Sequence, residues 1–290
     1  MPDFLNLLSQ PKVMIADGAT GTMLQKAGLP VGTAPERWNI ENPEAVKNHY
    51  QAYIEAGSDI ILTNTFGGSP IRLKREGLEA EYSRINQQAA ILARQTAGSS
   101  AFVFGDIGPT GELLEPLGTM SVEYAVRVFA EQAKALVDGG VDAILIETMS
   151  DLTEAKAALD GVRQATELPV IVSFSFDTRG RTMMGVKPPQ AAKEIWSLGV
   201  NAVGANCGRT LTETLTAVRE MEEAVPEAIL IAKPNAGLPK TDGTELVYDV
   251  TPDIMANFAL KFAEAGVKIF GGCCGSTPDH IAAIAAILKD

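Results

Sequence analysis

Eight short apolar, β-rich runs recur along the chain, each followed by a longer stretch with helical periodicity, and this alternation constrains the fold more than any other feature. The runs fall at residues 13–17, 59–66, 101–107, 143–148, 170–176, 202–207, 228–234 and 269–273. The helical stretches fall at 43–56, 80–97, 121–139, 152–165, 188–198, 211–224, 252–265 and 278–288. Parallel strands with crossover helices give either a closed (βα)8 TIM barrel or an open doubly wound sheet. The first run leads into D-G-A-T-G-T and not into G-x-G-x-x-G, which favours the α/β barrel. No Pro/Ser-rich linker or charge block divides the chain, so residues 1–290 read as one domain with longer inserts at 28–42 and 234–249.

Composition narrows the function classes. Hydrophobic residues at 46% and charged residues at 21% are ordinary for a soluble globular protein. No apolar run approaches the roughly 20 residues that cross a bilayer. The N-terminus lacks a basic n-region, so a cytoplasmic protein is expected, without membrane association. A formal charge of −12 with no basic stripe works against nucleic acid as a partner.

A barrel of this kind carries its active site at the C-terminal ends of its strands. The polar residues there are Asp17, Asn64, Asp106, Glu147, Ser173, Cys207, Asn235, Cys273 and Cys274. The three cysteines are the only ones in the chain, and each lies in a glycine-rich turn closing an apolar run, V-G-A-N-C-G or I-F-G-G-C-C-G. Three thiolates without a fourth protein ligand suit a Zn²⁺ that keeps one position open for substrate. The alternative is three buried small hydrophobes. A Cys273–Cys274 disulfide is the poorer reading, because adjacent Cα atoms are about 3.8 Å apart and a relaxed disulfide needs roughly 4.4–6.8 Å. Asp17 and Glu147 offer an acid–base pair or acceptors for a substrate ammonium, with helix N-capping as the alternative. His49 and His280 fall within helical stretches on the far side of their strands, so a Ser-His-Asp or Cys-His relay has no well-placed base.

The motifs D-G-A-T-G-T (17–22), E-A-G-S-D-I-I-L-T-N-T-F-G-G (55–68), G-P-T-G-E-L-L-E-P-L-G (108–118), L-I-E-T-M (145–149), G-A-N-C-G (204–208) and G-G-C-C-G (271–275) together resemble the zinc-dependent homocysteine S-methyltransferase family. The resemblance implies a barrel in which Zn²⁺ on Cys207, Cys273 and Cys274 activates homocysteine for conversion to methionine. It places Glu147 and Asp17 on the amino group and the Gly18, Ala19 and Thr20 backbone near the carboxylate. Asn64 and Ser173 complete the expected substrate contacts. Asn235 lies in K-P-N-A-G-L-P, which resembles the homocysteine domain of cobalamin-dependent methionine synthase. It is expected to fill the fourth zinc position without substrate, or to hold a loop.

For the methyl donor, the stretches at 111–118 and 175–185 resemble bacterial betaine–homocysteine methyltransferases. Thr148 and Gly67, however, stand where the animal betaine enzymes carry aromatic residues. The donor is therefore betaine-like or borne on a separate corrinoid protein. Two other readings are methyl transfer between a corrinoid protein and another thiol or demethylation substrate, and a zinc-binding partner subunit without independent catalysis.

Overall fold

A computed structural model describes residues 4–242 and 245–289, so the single-domain reading over 1–290 and the insert 234–249 are described without residues 1–3, 243–244 and 290. The strands are β1 (Met14–Ile15), β2 (Ile60–Leu62), β3 (Phe102–Ile107), β4 (Ala143–Met149), β5 (Val170–Phe174), β6 (Ala202–Cys207), β7 (Leu230–Pro234), the hairpin pair β8 (Lys240–Asp242) and β9 (Glu245–Val247), and β10 (Val267–Phe270). The helices are α1 (Phe4–Leu8), α2 (Gly21–Lys26), α3 (Trp38–Glu41), α4 (Pro43–Glu55), α5 (Pro70–Leu73), α6 (Tyr82–Ala97), α7 (Val122–Asp138), α8 (Leu152–Ala165), α9 (Pro188–Trp196), α10 (Leu211–Ala224), α11 (Pro252–Glu264) and α12 (Pro278–Lys289). Among the described residues, no helix is long and apolar enough to cross a membrane.

Eight strands pair in parallel in the order β1-β10-β7-β6-β5-β4-β3-β2, and a parallel bridge between Ala16 and Ile60 joins the first strand to the last. The sheet thus closes into the expected (βα)8 barrel. The ladders are shorter than several apolar runs, and side-chain hydroxyls explain one case. Beyond Leu62, Thr63 Oγ1 accepts from Asp106 N at 2.9 Å and Thr65 Oγ1 donates to Asp106 O at 2.7 Å, so side chains replace strand pairing. Ser121, Asp151, Thr210 and Thr251 cap α7, α8, α10 and α11 by accepting backbone N–H bonds, which fixes where four crossover helices begin.

Period-two alternation divides the core into two regions. Met14, Ile60, Leu62, Phe102, Phe104, Ala143, Leu145, Ile171, Ala202, Ile231 and Ile269 fill the barrel interior, with Phe4 and Leu8 of α1 packed beneath them. The other strand face, including Ile15, Val103, Ile144, Val172, Val203 and Phe270, packs against the helices. A Cβ on Gly204 would sit 1.8 Å from Ile231 O, so only glycine lets β6 lie this close to β7. The inward set is apolar below and turns polar in its last layer, at Asp106, Glu147, Ser173, Asn206 and Lys233. Asp106, Glu147 and Lys233 of this layer form the floor of the cavity at the barrel mouth.

Candidate functional site

Cys207 ends β6, while Cys273 and Cys274 follow β10, and strand closure brings all three to one rim. Their sulfurs lie within 4.8 Å of one another, with Cys207 and Cys273 at 3.1 Å. Zn–S bonds of about 2.3 Å in a tetrahedron put sulfurs about 3.8 Å apart, so small side-chain adjustments would close this set on a metal. The electrostatics also fit a cation. Hydrogen bonds from Cys207 and Cys273 push the Cys274 thiol down to about 3. Hydrogen bonding to Cys273 raises Cys207 well above the ordinary thiol range. For Cys273, hydrogen bonding with Cys207 acts to lower the value, but the bond with Cys274 and burial outweigh it and push it up to about 12. A dication among the three sulfurs would favour all of them as thiolates.

The sulfurs open onto a cavity of about 560 Å³ that Gly18, Ala19, Thr20, Asn64, Asp106, Glu147 and Lys233 also line. Lys233 is the main feature that the sequence reading missed. Its ammonium is buried, 3.4 Å from Asp17 Oδ1 and 3.6 Å from Glu147 Oε2. Asp17 Oδ2 accepts the Leu62 N–H at 2.7 Å, so both Asp17 oxygens are engaged and the residue does not line the cavity. The helix-cap alternative fails for Asp17, whose carboxylate belongs to the strand-end network.

Burial pushes Asp17 up to about 6 against the opposing pull of Lys233, and likewise pushes Glu147 up to about 7. Burial, then the Glu147 charge, raises Asp106 well above the carboxylate range. Burial acts to lower Lys233, but Glu147, Asp17 and Asp106 outweigh it and raise it above its ordinary value. Among the described residues, the buried Asp106 Oδ1 has no hydrogen-bond partner, and the buried Glu147 Oε2 has none closer than the Lys233 ammonium at 3.6 Å. Both are acceptors that face the cavity.

Asn64, Ser173 and Asn235 each hold a partner in the scaffold. Asn64 lines the cavity, but its amide donates to Pro35 O and Asn39 Oδ1 at 2.8 and 2.9 Å, which ties the 28–42 insert to the barrel. Ser173 is not in the cavity wall, and its hydroxyl donates to Asn206 Oδ1 at 2.8 Å. Asn235 also lies outside the wall, with Nδ2 donating to Gly208 O at 2.8 Å and Oδ1 buried without a partner. Gly18 and Ala19 are set by Tyr53, whose hydroxyl donates to Ala19 O at 3.0 Å. A Cβ at Gly18 would meet that hydroxyl at 2.7 Å.

The histidine expectation needs one correction. His280 sits in the first turn of α12, at the mouth end, where its ring bonds Thr277 Oγ1 and Val250 O at 2.9 and 2.8 Å. His49 is a packing residue against Tyr50 and Tyr53, and burial pushes its imidazole down to about 4. Neither histidine lines the cavity.

The outer wall contains Glu36, Phe66, Gly67, Arg72, Arg75, Glu76 and Tyr248. Arg72 covers the Phe66 ring at 5.2 Å from its centroid. A point where a Cβ would stand on Gly111 is 3.7 Å from Arg72 Nη1 and 3.6 Å from Arg75 Nη2. Tyr248, following β9, packs its ring against Gly275 beside the cysteine pair, while Cys274 remains exposed.

The chain is 33% identical over 304 residues to a methionine synthase of Mycobacterium leprae and 35% identical over 310 residues to a methionine synthase of Mycobacterium tuberculosis. It is covered at 98% and 99%, but spans only 25% of the length of each of these relatives. Its fold matches the metallated form of the Escherichia coli homocysteine methyltransferase MmuM with a TM-score of 0.83 over 99% of both chains, at 23% identity. It also matches a methyltransferase of Methanosarcina mazei with a TM-score of 0.65 over 99% of this chain and 97% of that one, at 14% identity. The sequence profile described as homocysteine S-methyltransferase matches residues 14–288, and the chain belongs to that family.

Proposed function

We propose that residues 1–290 form a homocysteine-binding barrel that transfers a methyl group to the homocysteine sulfur, with Zn²⁺ on Cys207, Cys273 and Cys274, yielding methionine. The observation that carries this reading is the pairing of two chemistries in one cavity. A three-sulfur cluster stands at one end, and the buried carboxylates of Glu147, which faces Lys233, and Asp106, whose Oδ1 has no partner among the described residues, stand on the floor. An amino acid with a side-chain thiol addresses both. Zn²⁺ would supply the charge that keeps the substrate sulfur as a thiolate at neutral pH, where a free thiol of pKa about 8.5 is mostly protonated.

The protein groups then divide the substrate among them. Glu147 and Asp106 accept from the ammonium, and the charge they gain as partners keeps both ionised against burial. Asp17 acts through Lys233, holding the lysine so that the three carboxylates are partly neutralised before substrate enters. The Gly18–Thr20 backbone takes the carboxylate, where the absence of a Cβ at Gly18 leaves room. Asn235 Oδ1, buried and partnerless, is the protein group proposed for the fourth metal position before substrate arrives.

The outer chamber is the donor's place. Two guanidinium groups converging beside Gly111 support an onium donor that carries a carboxylate, betaine-like in that sense. Similarity to the methionine synthases favours a second reading, in which a separate corrinoid protein brings the methyl group to the mouth. The test is methionine formation by the purified chain with Zn²⁺, homocysteine and, in turn, betaine, S-methylmethionine, dimethylsulfoniopropionate, S-adenosylmethionine and methylcobalamin. Turnover with a carboxylated onium supports the first reading, and turnover with methylcobalamin alone supports the second. No methionine from any donor would refute independent catalysis.

A further inference from the structure

We infer that Asn206 is a positioning residue that sets the distance between the ammonium acceptors and the sulfur cluster, and thereby selects the length of the thiol substrate. The inference rests on the proposed homocysteine reading. It starts from β4, whose pairing with β5 slips in register between Ile146 and Met149. Glu147 and Thr148 occupy this irregularity, and Thr148 has φ 62, a left-handed conformation that a β-branched residue adopts only when its surroundings impose it. A bulge re-aims side chains and leaves backbone groups unpaired, and here it aims Glu147 into the cavity.

Asn206 restores what the bulge removes. Its Oδ1 accepts the Thr148 N–H at 2.8 Å and its Nδ2 donates to Thr148 Oγ1 at 2.6 Å, so one amide grips Thr148 at two points. Ser173 Oγ donates to the same Oδ1 at 2.8 Å and orients the amide from β5. Asn206 is 1% exposed, so these bonds do not compete with water. The clamp spans from β6 to β4, which are not neighbours in the sheet, and it does so over β5. Alternate strands share a layer inside such a barrel, which is what lets the two side chains meet.

The residues on either side of the clamp explain its use. Glu147 immediately precedes Thr148, and Cys207 immediately follows Asn206, itself left-handed at φ 56. One side chain therefore holds two strained strand ends, one carrying an ammonium acceptor and the other a sulfur ligand. β5 pairs with both strands, through Met149 and Ala205 at Phe174, and the clamp adds a direct tie between the two ends where the bulge interrupts that pairing. A substrate that must reach both ends is measured against the distance between them. Cysteine is one methylene shorter than homocysteine, and a fixed site discriminates one methylene by about 10–200-fold.

The experiment uses Asn206→Ala, Thr148→Val, which removes only the hydroxyl partner, and Thr148→Ser, which retains both clamp bonds. Hydrogen exchange of the peptide over 143–149, in metal-free protein without substrate, reads the clamp directly. Faster exchange is expected in the first two variants and wild-type exchange in the third. Homocysteine and cysteine are then titrated into Co²⁺-loaded protein and followed by thiolate-to-cobalt absorption. The homocysteine-over-cysteine affinity ratio should fall at least tenfold in Asn206→Ala, with metal stoichiometry unchanged, and stay wild-type in Thr148→Ser.

Unchanged exchange in both weakened variants would overturn the clamp. Faster exchange with both thiols weakened equally would reduce Asn206 to a structural role and overturn the selection. If Asn206→Ala does not fold, Thr148→Val must show the same changes in smaller degree. A wild-type protein that binds neither thiol would overturn the homocysteine reading itself, and this inference with it.

Discussion

The Lys233 ammonium offers the sharpest test of the site's electrostatics. It is 3% exposed and stands 3.4 and 3.6 Å from two carboxylates that are themselves buried. At those separations each attraction is worth about 5 kcal/mol at an effective dielectric near 20, and the cost of burying the charges offsets much of it. Replacing Lys233 with methionine keeps similar volume but leaves Asp17, Glu147 and Asp106 facing one another. Removing one partner of a buried network costs about 3–5 kcal/mol, and that loss is expected at pH 8.

The loss should depend on pH with a definite sign. Asp17 and Glu147 already titrate near about 6 and about 7 in the presence of the lysine. Without it both move higher still, so the folded variant holds protons that the unfolded chain has released. Its stability therefore falls more steeply than wild type as pH rises through this range. At pH 5 both proteins carry protonated carboxylates and the gap should close to about 1 kcal/mol or less. Adding Asp17→Asn to Lys233→Met should recover about 1–3 kcal/mol at pH 8, because one repelling charge is gone. Urea unfolding of metal-free, reduced protein at pH 5 and pH 8 measures all of this. A gap that is the same at both values, or below about 1 kcal/mol at pH 8, would refute the network as described.

Serine at Cys207, Cys273 or Cys274 should abolish methyl transfer and lower zinc content while leaving the circular dichroism of the barrel unchanged, since the core lies elsewhere. X-ray absorption on the zinc-loaded protein should rise from three sulfur neighbours to four at about 2.3 Å when homocysteine is added; four sulfurs beforehand would exclude an open position. Glu147→Gln and Asp106→Asn should each weaken homocysteine binding roughly 10–100-fold with zinc content unchanged, by loss of a charge-assisted bond, and calorimetry would read the difference. His49, pushed down to about 4 by burial, destabilises the fold as pH falls from about 6.5 towards 4, when the unfolded chain takes up the proton that the folded one refuses. His49→Phe should flatten that part of the acid-unfolding profile by roughly 3 kcal/mol, and an unchanged profile would contradict the burial argument.

Much of this protein was determined by local sequence. Eight strand–helix alternations specify a parallel barrel because each crossover helix must cover the strand pair it joins, and polar residues at the run ends then fall on one rim. The three cysteines were legible for the same reason: glycine turns closing apolar runs can only lie at that rim. Lys233 and Asn206 were legible in principle, since the inward alternation Ile231–Lys233 and Ala202–Gly204–Asn206 continues beneath them. Their partners were not. That Lys233 occupies Asp17, that Asn64 and Ser173 serve the scaffold, and that Asp106 stands open beside Glu147 depend on the register of β1, β3, β4 and β7 around a closed ring. A bulge in β4 depends on it as well. Such contacts join residues far apart in the chain, as the 25 positions between Asn64 and Asn39, the 33 between Ser173 and Asn206 and the 216 between Lys233 and Asp17 illustrate. Hydrophobic periodicity gives the inward face of each strand, but only the closed barrel, through its shear, decides which inward residues share a layer.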